Sequence, residues 1–504
     1  MNAPSARHVV VVGGGLAGLA AAEAILHRPT PGESRPGPHH CRVTIVEPSD
    51  RLGGVVATVR EDGWLVERSA DSFLAARSEG LELVERLGLA GELVGVDPRV
   101  RRALVLRRGR TLPVPTGFRL LAPGSIGGIL ATPLLSPSGK LRVLAERFLP
   151  PASGNTDADD ESLEQFAIRR LGREAFERLV QPLVAGIWTA DPAKLSMAAA
   201  CPEFREMERR HGSLSAGERA RLRLAGSAAR ASGARYGQFV TIRSGMETIP
   251  VALGRRLADE GAQFVTAAVS RLERRAADDG RTSGWRILLA PRPAAPADRS
   301  IEVLDADAVI VATPTAAAAG MLADVDRQLA DDLSRIEYAG SAVVSLGYSR
   351  DDIAHPLDAA GLVVPKTEGR RILAISFASS KFPGRAPEGH VLLRVFVGGA
   401  LDPETAALDD DRLAALATEE VAAVLGGRGT PRLVQIDRWI GAMPQYHLGH
   451  VQRVAAINTR LAALPGLALA GAAYEGVGIP QVIASGQSAA SRIMRQFAAD
   501  SALG

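Results

Sequence analysis

The chain has 504 residues, 46% of them hydrophobic and 23% charged, and a net charge of +3; at roughly 100–200 residues per domain it holds two to four domains. So small a positive excess, without a dense run of Lys or Arg, gives no argument for nucleic acid. Two cysteines far apart, Cys41 and Cys201, exclude a disulfide framework and a Cys-x-x-Cys metal site.

The N-terminal MNAPSARH lacks a signal-peptide core, and no apolar run reaches the ~18–20 residues of a membrane span. The expectation is a protein of the reducing cytoplasm, soluble or peripherally attached at the inner face of the membrane, of undetermined oligomeric state. Lysine occurs only at Lys140, Lys194, Lys366 and Lys381. A GC-rich coding bias accounts for the abundance of arginine; the functional reading is its planar fork for carboxylates.

In chain order, His8–Val12 reads as a buried parallel strand from its continuous β-branched run. Leu16–Leu26 is the helix that follows. The segment HRPTPGESRPGPHH is a loop, and its end, His39-His40-Cys41, is no metal site because adjacent residues point apart. Cys41–Glu47 is a second strand, and Gly80–Gly88 a helix ending on glycine. Pro98–Pro115 holds short β pieces. In Phe118–Pro151 apolar residues cluster among Gly, Pro and Ser before the amphipathic helix GKLRVLAERFLPP, and PASGNTDADDE is an acidic linker. Ser162–Val184 and Glu203–Ala231 read as helices, and Asp305–Ala318 as a strand feeding a helix. Ala342–Tyr348, Gly361–Pro365, Ile372–Ala378 and His390–Val397 are four strands of another sheet, crossed by a helix over Asp409–Leu425. From Leu467 the chain closes as strand, loop and helix. No internal repeat is present.

Gly13-Gly14-Gly15-Leu16-Ala17-Gly18 lies between the first strand and its helix, the context that gives a Gly-x-Gly-x-x-Gly pattern meaning. The first glycine allows the turn, the second admits a pyrophosphate, the third lets helix and strand pack, and the helix N-terminus offers free N–H groups. Glu47 ends the second strand and is placed to accept ribose hydroxyls, disfavouring NADP; the Pro/Gly-rich insert explains its unusual distance from the glycines.

The segment after Glu47, EPSDRLGG, separates FAD from NAD. Glu47, Arg51, Gly53 and Gly54 resemble the extended dinucleotide motif of the flavin amine oxidase superfamily. Arg51 can reach the pyrophosphate, and the glycines let the chain pass flat against the cofactor. At the other end, GAAYEGVGIP puts Gly476, Gly478 and Pro480 at a helix start, where the N-terminus can stabilise charge on a flavin edge. The cofactor expected is FAD, held non-covalently, with no metal.

QPLVAGIWTADPAKLSM, SGMETIP, MPQYHLGH and AGAAYEGVGIP, in this order, resemble the oxygen-dependent porphyrinogen oxidases of haem biosynthesis, a branch of that superfamily. The resemblance implies an α/β fold: an FAD-binding Rossmann-like domain built from discontinuous segments, an α+β substrate domain and a helical domain. The expected divisions are 1–97, 237–335 and 432–504 for the FAD-binding parts, 98–117 and 336–431 for the substrate domain, and 118–236 for the helical domain. That helical domain faces the membrane in relatives, although a plain packed helix explains its amphipathic segment equally well. It also implies six-electron oxidation of coproporphyrinogen III or protoporphyrinogen IX, with dioxygen reduced to hydrogen peroxide; no general acid or base stands out.

By the same resemblance, Ala70, Asp71 and Ser72 pass the flavin, Val269 meets adenine, Trp439 lies near the ring, and Val477, Gly478 and Ile479 complete its edge. Phe73, Leu74, Phe377 and Ile440 are candidate walls of an apolar cleft, and Arg119, Arg371 and Arg394 candidate propionate anchors. Asp71 stands where mitochondrial-type relatives carry arginine and is similar to the Gram-positive type, which inclines the reading to coproporphyrinogen III. The rivals are an amine oxidase or carotenoid desaturase of the same superfamily, and a porphyrin-binding flavoprotein scaffold without turnover.

Overall fold

The computed structural model describes residues 6–27, 41–151, 160–224, 239–276, 282–290 and 302–503. Its organising element is a five-stranded parallel sheet in the order Gln263–Thr266, Cys41–Glu47, Arg7–Val12, Ala308–Val311 and Leu467–Leu469. Strands from three distant stretches of chain therefore form one sheet, as a discontinuous Rossmann-like domain requires.

The continuous valine run of the first strand follows from burial on both faces. Val9 and Val11 pack with the helices Leu16–Leu26, Thr248–Asp259 and Ile479–Leu503. Val10 and Val12 pack on the other side against Trp285 and Ile287 of an antiparallel layer, Val269–Ala276, Thr282–Leu289 and Val303–Ala306. The closing helix lies directly on the first one. A Cβ built on Gly486 would collide with the carbonyl oxygen of Ala17 and sit 3.0 Å from the Ala21 nitrogen.

A seven-stranded sheet forms the second layer system, in the order Leu433–Pro444, Tyr338–Ser349, His390–Gly398, Ile372–Phe377, Gly361–Val363, Ala103–Arg107 and Arg110–Pro113. All its pairings are antiparallel except that of Gly361–Val363 with Ala103–Arg107. The helix Asp410–Leu425, capped by Asp409 and stopped at Gly426, covers one face. The edge strand Leu433–Pro444 runs past the expected division at residue 431, because it pairs along Tyr338–Ser349.

The helical region is more broken than its apolar periodicity predicts. The expected helix over 162–184 is interrupted at Gly172, which has φ +87°, and continues through a π turn at Phe176–Val180 into Gln181–Trp188. The described part of the expected helix over 203–231 is two helices, Pro202–His211 and Leu214–Leu224, parted at Gly212 with φ +67°, and 225–231 lie outside the described residues. A single glycine inside an amphipathic run keeps the period yet supplies the left-handed backbone that ends a helix. The amphipathic segment is Pro137–Leu144 followed by a 3₁₀ turn, Ala145–Phe148. Most of the acidic linker and the loop with His39-His40 lie outside the described residues. Both cysteines are buried and unbridged. Among the described residues there is no metal-binding cluster, and no helix is long and apolar enough to cross a membrane.

Candidate cofactor and substrate site

The glycine loop is shaped by backbone collisions that only hydrogen avoids. Gly13 has φ +110°, and a Cβ there would lie 2.6 Å from the Ala312 carbonyl oxygen; at Gly18 it would strike the carbonyl oxygen of Gly13. Gly15 is different: nothing stands within 4 Å of its missing side chain. It begins the helix Leu16–Leu26 without any side-chain cap, and so leaves N–H groups open to an anion.

The second glycine pair closes over this opening. Gly53 N–H donates to Gly14 O at 2.8 Å, and Gly53 pairs with Gly15 in a parallel bridge. Around the opening, Glu47 Oε2 accepts from Gly14 N–H at 2.7 Å, while Oε1 accepts from Ser49 N–H at 3.0 Å and Ser49 Oγ–H at 2.8 Å. Arg51 turns back on its own loop, donating to Val56 O and Gly54 O. Leu16 and Ala17 are buried in the first turn of the helix. Val269 opens its strand two residues beyond Ala267, whose N–H donates to Glu47 O at 3.1 Å. A bare backbone channel, a free helix N-terminus and a carboxylate at the end of the adjacent strand fit the diphosphate and ribose of FAD.

The C-terminal loop is tied to the same sheet. Ala470 N–H donates to Val311 O at 3.0 Å and Gly471 N–H to Ser485 Oγ at 3.0 Å. Tyr446 Oη donates to Ala472 O at 2.6 Å and accepts from Gly476 N–H at 2.7 Å, so one buried hydroxyl pins both arms of the loop before Val477, Gly478 and Ile479. Tyr446 is in turn held by Ser196 N–H on its carbonyl at 2.7 Å, by the Trp188 ring at 4.9 Å and by the stacked His450 ring at 3.9 Å. The segments QPLVAGIWTADPAKLSM, MPQYHLGH and AGAAYEGVGIP thus meet at one tyrosine. The fourth, SGMETIP, braces the glycine turn: Met246 N–H donates to Glu67 Oε1 at 3.0 Å, and Pro250 packs against Gly53. Burial drives the His450 imidazole down to about 4 and the Tyr446 phenol well up.

A cleft, about 1230 Å³ when its open mouth is counted, lies where three other parts of the chain meet. Asp71 and Ser72 form one wall, Phe118–Leu120, Leu183 and Ile187 of the helical region another, and Gly361–Val363, Ala374, Ser376 and Phe396 of the large sheet a third. Ser69 and Ala70 lead into it; Ser69 Oγ donates to Val55 O, and Trp439 Nε1 donates to Arg68 O at 2.8 Å just before them.

Asp71 accepts from Lys381 Nζ at 2.7 Å and from Ser72 Oγ at 2.8 Å, with Arg394 Nη1 at 3.3 Å. Burial alone would raise its pKa, but the charges of Lys381 and Arg394 and these hydrogen bonds outweigh that and hold the carboxyl well below the usual range.

Of the expected cleft residues, Arg119 lines the wall, with its Nε on Glu218 Oε2 at 2.9 Å. Phe73 is instead buried in the dinucleotide core between Gly80 and Pro480, and Leu74 is the neighbouring strand residue, paired with Phe239. Phe377 is wholly buried on the helix-covered face of the large sheet and does not line the cleft: along Ile372–Phe377, Ala374, Ile375 and Ser376 border the cleft, while the Ile375 and Phe377 side chains pack in the helix-covered core. Arg394 is 1% exposed, with its two terminal nitrogens turned to Asp71 and Ser69 and its Nε buried without a hydrogen-bond partner among the described residues. Arg371 donates to Thr405 Oγ1 at 2.9 Å away from the lining, and Ile440 is solvent-exposed against Gly340. The sequence reading missed Lys381, Phe396, Leu183 and Ile187. Strand alternation could have found Phe396, since Val395 and Val397 belong to the helix-covered face; Lys381 carries no local signal beyond the rarity of lysine.

Comparison with known proteins follows the same outline. The family model for flavin containing amine oxidoreductases matches residues 16–494. The coproporphyrinogen III oxidase of Bacillus subtilis (strain 168) is 35% identical over 491 residues, covering 96% of this chain and 97% of its own. That of Propionibacterium freudenreichii subsp. freudenreichii is 33% identical, covering 97% and 90%. The chloroplastic protoporphyrinogen oxidase of Nicotiana tabacum is 28% identical, covering 96% and 85%. A crystal structure from Exiguobacterium sp. 255-15, provisionally described as a protoporphyrinogen oxidase, superposes with a TM-score of 0.81 at 28% identity, over 98% of this chain and 99% of that one.

Proposed function

The chain belongs to the flavin containing amine oxidoreductase family, and from that premise we propose that it is an FAD-dependent porphyrinogen oxidase acting on coproporphyrinogen III. The observation that carries the reading is that the bare glycine loop and the Tyr446-pinned loop are tied to one parallel sheet, while Asp71 and Ser72 wall a mostly apolar cleft. When bound, FAD supplies a two-electron acceptor, so three turnovers with dioxygen going to hydrogen peroxide account for the six electrons between coproporphyrinogen III and coproporphyrin III.

The protein's own part is to hold and exclude. Gly13–Gly18 and the helix behind them take the diphosphate, with Gly53 and Gly54 closing over it. Glu47 takes the ribose by exchanging Ser49 for a sugar hydroxyl. Val269 borders the adenine. Ala70, Asp71, Ser72, Trp439 and Val477–Ile479 frame the ring. Arg51 acts through the loop it grips, since its guanidinium donates to Val56 O and Gly54 O. The apolar walls strip water from the macrocycle. The likeness to two coproporphyrinogen III oxidases, 35% and 33% against 28% for the tobacco enzyme, supports the four-propionate substrate, although a third, from Staphylococcus aureus, is 28% identical.

The three-part division is kept, with the large sheet assigned to the substrate domain through Pro444. Ile126, Leu130, Leu141 and Phe148 are exposed on neighbouring elements of the helical region. They support peripheral contact with a membrane surface by a cytoplasmic protein. The deciding experiment mixes the yellow protein anaerobically with each porphyrinogen and then admits air. Bleaching by coproporphyrinogen III, with recovery and porphyrin formation in air, is expected; no bleaching by either substrate overturns the proposal.

A further inference from the structure

We propose that Lys381 is the carboxylate anchor of the cleft, a reading that rests on the proposed porphyrinogen substrate. Of the described residues lining the cleft, only Asp71, Arg119 and Lys381 are ionisable. Arg119 is neutralised locally: its Nε lies on Glu218, its Nη1 is 4.0 Å from Glu203, and its guanidinium covers the Phe204 ring.

The group around Asp71 does not balance. One carboxylate stands between two cations, Lys381 at 2.7 Å and Arg394 at 3.3 Å. Glu67 and Arg385, which also interact with this group, are 3.4 Å apart and cancel each other. One positive charge is left over at the edge of an apolar cavity. Arg394 is 1% exposed and also donates to Ser69 O, so it cannot present that charge.

Lys381 can present it. Its ammonium has three N–H donors. Among the described residues two find acceptors, Asp71 Oδ2 and Ser376 Oγ at 3.3 Å, while the Phe382 ring lies 5.2 Å away. Lys381 lines the cleft, so the third donor and the surplus charge are available to an occupant of it. An excess cation in an apolar enclosure calls for an anion, and the acidic groups of a porphyrinogen are its propionates. Asp71 thereby becomes the residue that draws Lys381 into place from the short helix Ala378–Lys381, which follows the sheet strand Ile372–Phe377, with Ser376 fixing its direction.

The test uses the FAD-loaded protein and coproporphyrin III, followed by quenching of porphyrin fluorescence. Losing one charge-assisted hydrogen bond should weaken binding about 10- to 100-fold in Lys381→Met. Lys381→Arg should keep most of the affinity, and in turnover Lys381→Met should raise KM while kcat holds. A Lys381→Met protein that retains its flavin and binds coproporphyrin III as wild type does overturns the anchor. Should that variant fail to fold, the wild type decides: the tetramethyl ester, which lacks the carboxylates, must bind more weakly than the free acid, and equal affinity overturns the proposal. Lys381-dependent binding in a protein without oxidase turnover would fault the proposed reaction and sustain the anchor.

Discussion

Gly486→Ala is the most informative single change, because Gly486 is where the closing helix touches the nucleotide-binding helix. The added methyl overlaps the Ala17 carbonyl oxygen and sits 3.0 Å from the Ala21 nitrogen and 3.1 Å from the Ala17 carbonyl carbon. These are main-chain atoms of a hydrogen-bonded helix and cannot swing aside. Ordinary contact between such atoms is about 3.5 Å, so the two helices must part by roughly 1 Å. Overpacking of this kind costs about 1–3 kcal/mol, and alanine returns about 0.5–1 kcal/mol through its better helix propensity. The net loss of about 1–2 kcal/mol lowers the Tm by about 2–8 °C at 2–4 °C per kcal/mol. FAD retention falls with it, since the two helices carry opposite ends of the cofactor site. Gly320→Ala is the control. It sits in the exposed face of the helix Thr315–Leu322 with nothing within 4 Å of the new methyl, and should raise the Tm slightly. Scanning calorimetry and flavin content after dialysis read both variants. A Gly486→Ala protein at least as stable and as yellow as wild type refutes the reasoning.

Glu47→Ala should weaken FAD retention about 10- to 100-fold through the lost ribose acceptor; unchanged flavin content after dialysis would refute that role. Tyr446→Phe strips the hydroxyl from Ala472 O and Gly476 N–H, costing about 1–3 kcal/mol, with faster flavin release by fluorescence as the check. His450, held neutral down to about 4, binds no proton in the folded state while the unfolded chain takes one up below about pH 6.5. Stability should therefore fall as pH drops through that window, by up to about 3 kcal/mol at its lower end, and His450→Gln should flatten the dependence of Tm on pH there. Leu141→Ser with Phe148→Ser should reduce sedimentation with anionic lipid vesicles without altering turnover of dissolved substrate; unchanged sedimentation counts against the membrane-facing reading.

What could be read in the sequence was what is local or periodic. The valine strand, its glycines and Glu47 are contiguous and governed by one geometric constraint, so their pattern determines their placement. The four strands of the large sheet were legible from burial alternation and punctuation. The edge strand Leu433–Pro444 was not, because an edge carries Gln435, Arg438 and other polar residues where an interior strand carries valine. Gly172 and Gly212 looked like tolerated glycines within helices, since nothing local reveals which glycine takes positive φ. Phe73 and Phe377 were chosen as walls for being aromatic, whereas the pleat decides which face a strand residue serves. The pairing of Asp71 with Lys381 spans 310 positions, and no local rule reaches that far.

These failures share a cause with the site's construction. Its parts come from every stretch of the chain, so the contacts that matter are the long-range ones. The glycine turn leans on Pro250, the C-terminal loop hangs from Tyr446, and Asp71 draws in Lys381. None of these segments could form its share alone, because each buries polar groups whose partners lie in another segment: Gly476 N–H without Tyr446, or Asp71 without Lys381 and Arg394, would be stranded. Folding and assembly of the cofactor site are in this sense one event. A ligand that binds only the assembled state then stabilises all the segments together, by about 2.7 kcal/mol at a hundredfold excess over its Kd. The glycine motif alone could therefore not have disclosed the substrate, since the cleft exists only once the pieces that share no local pattern have met.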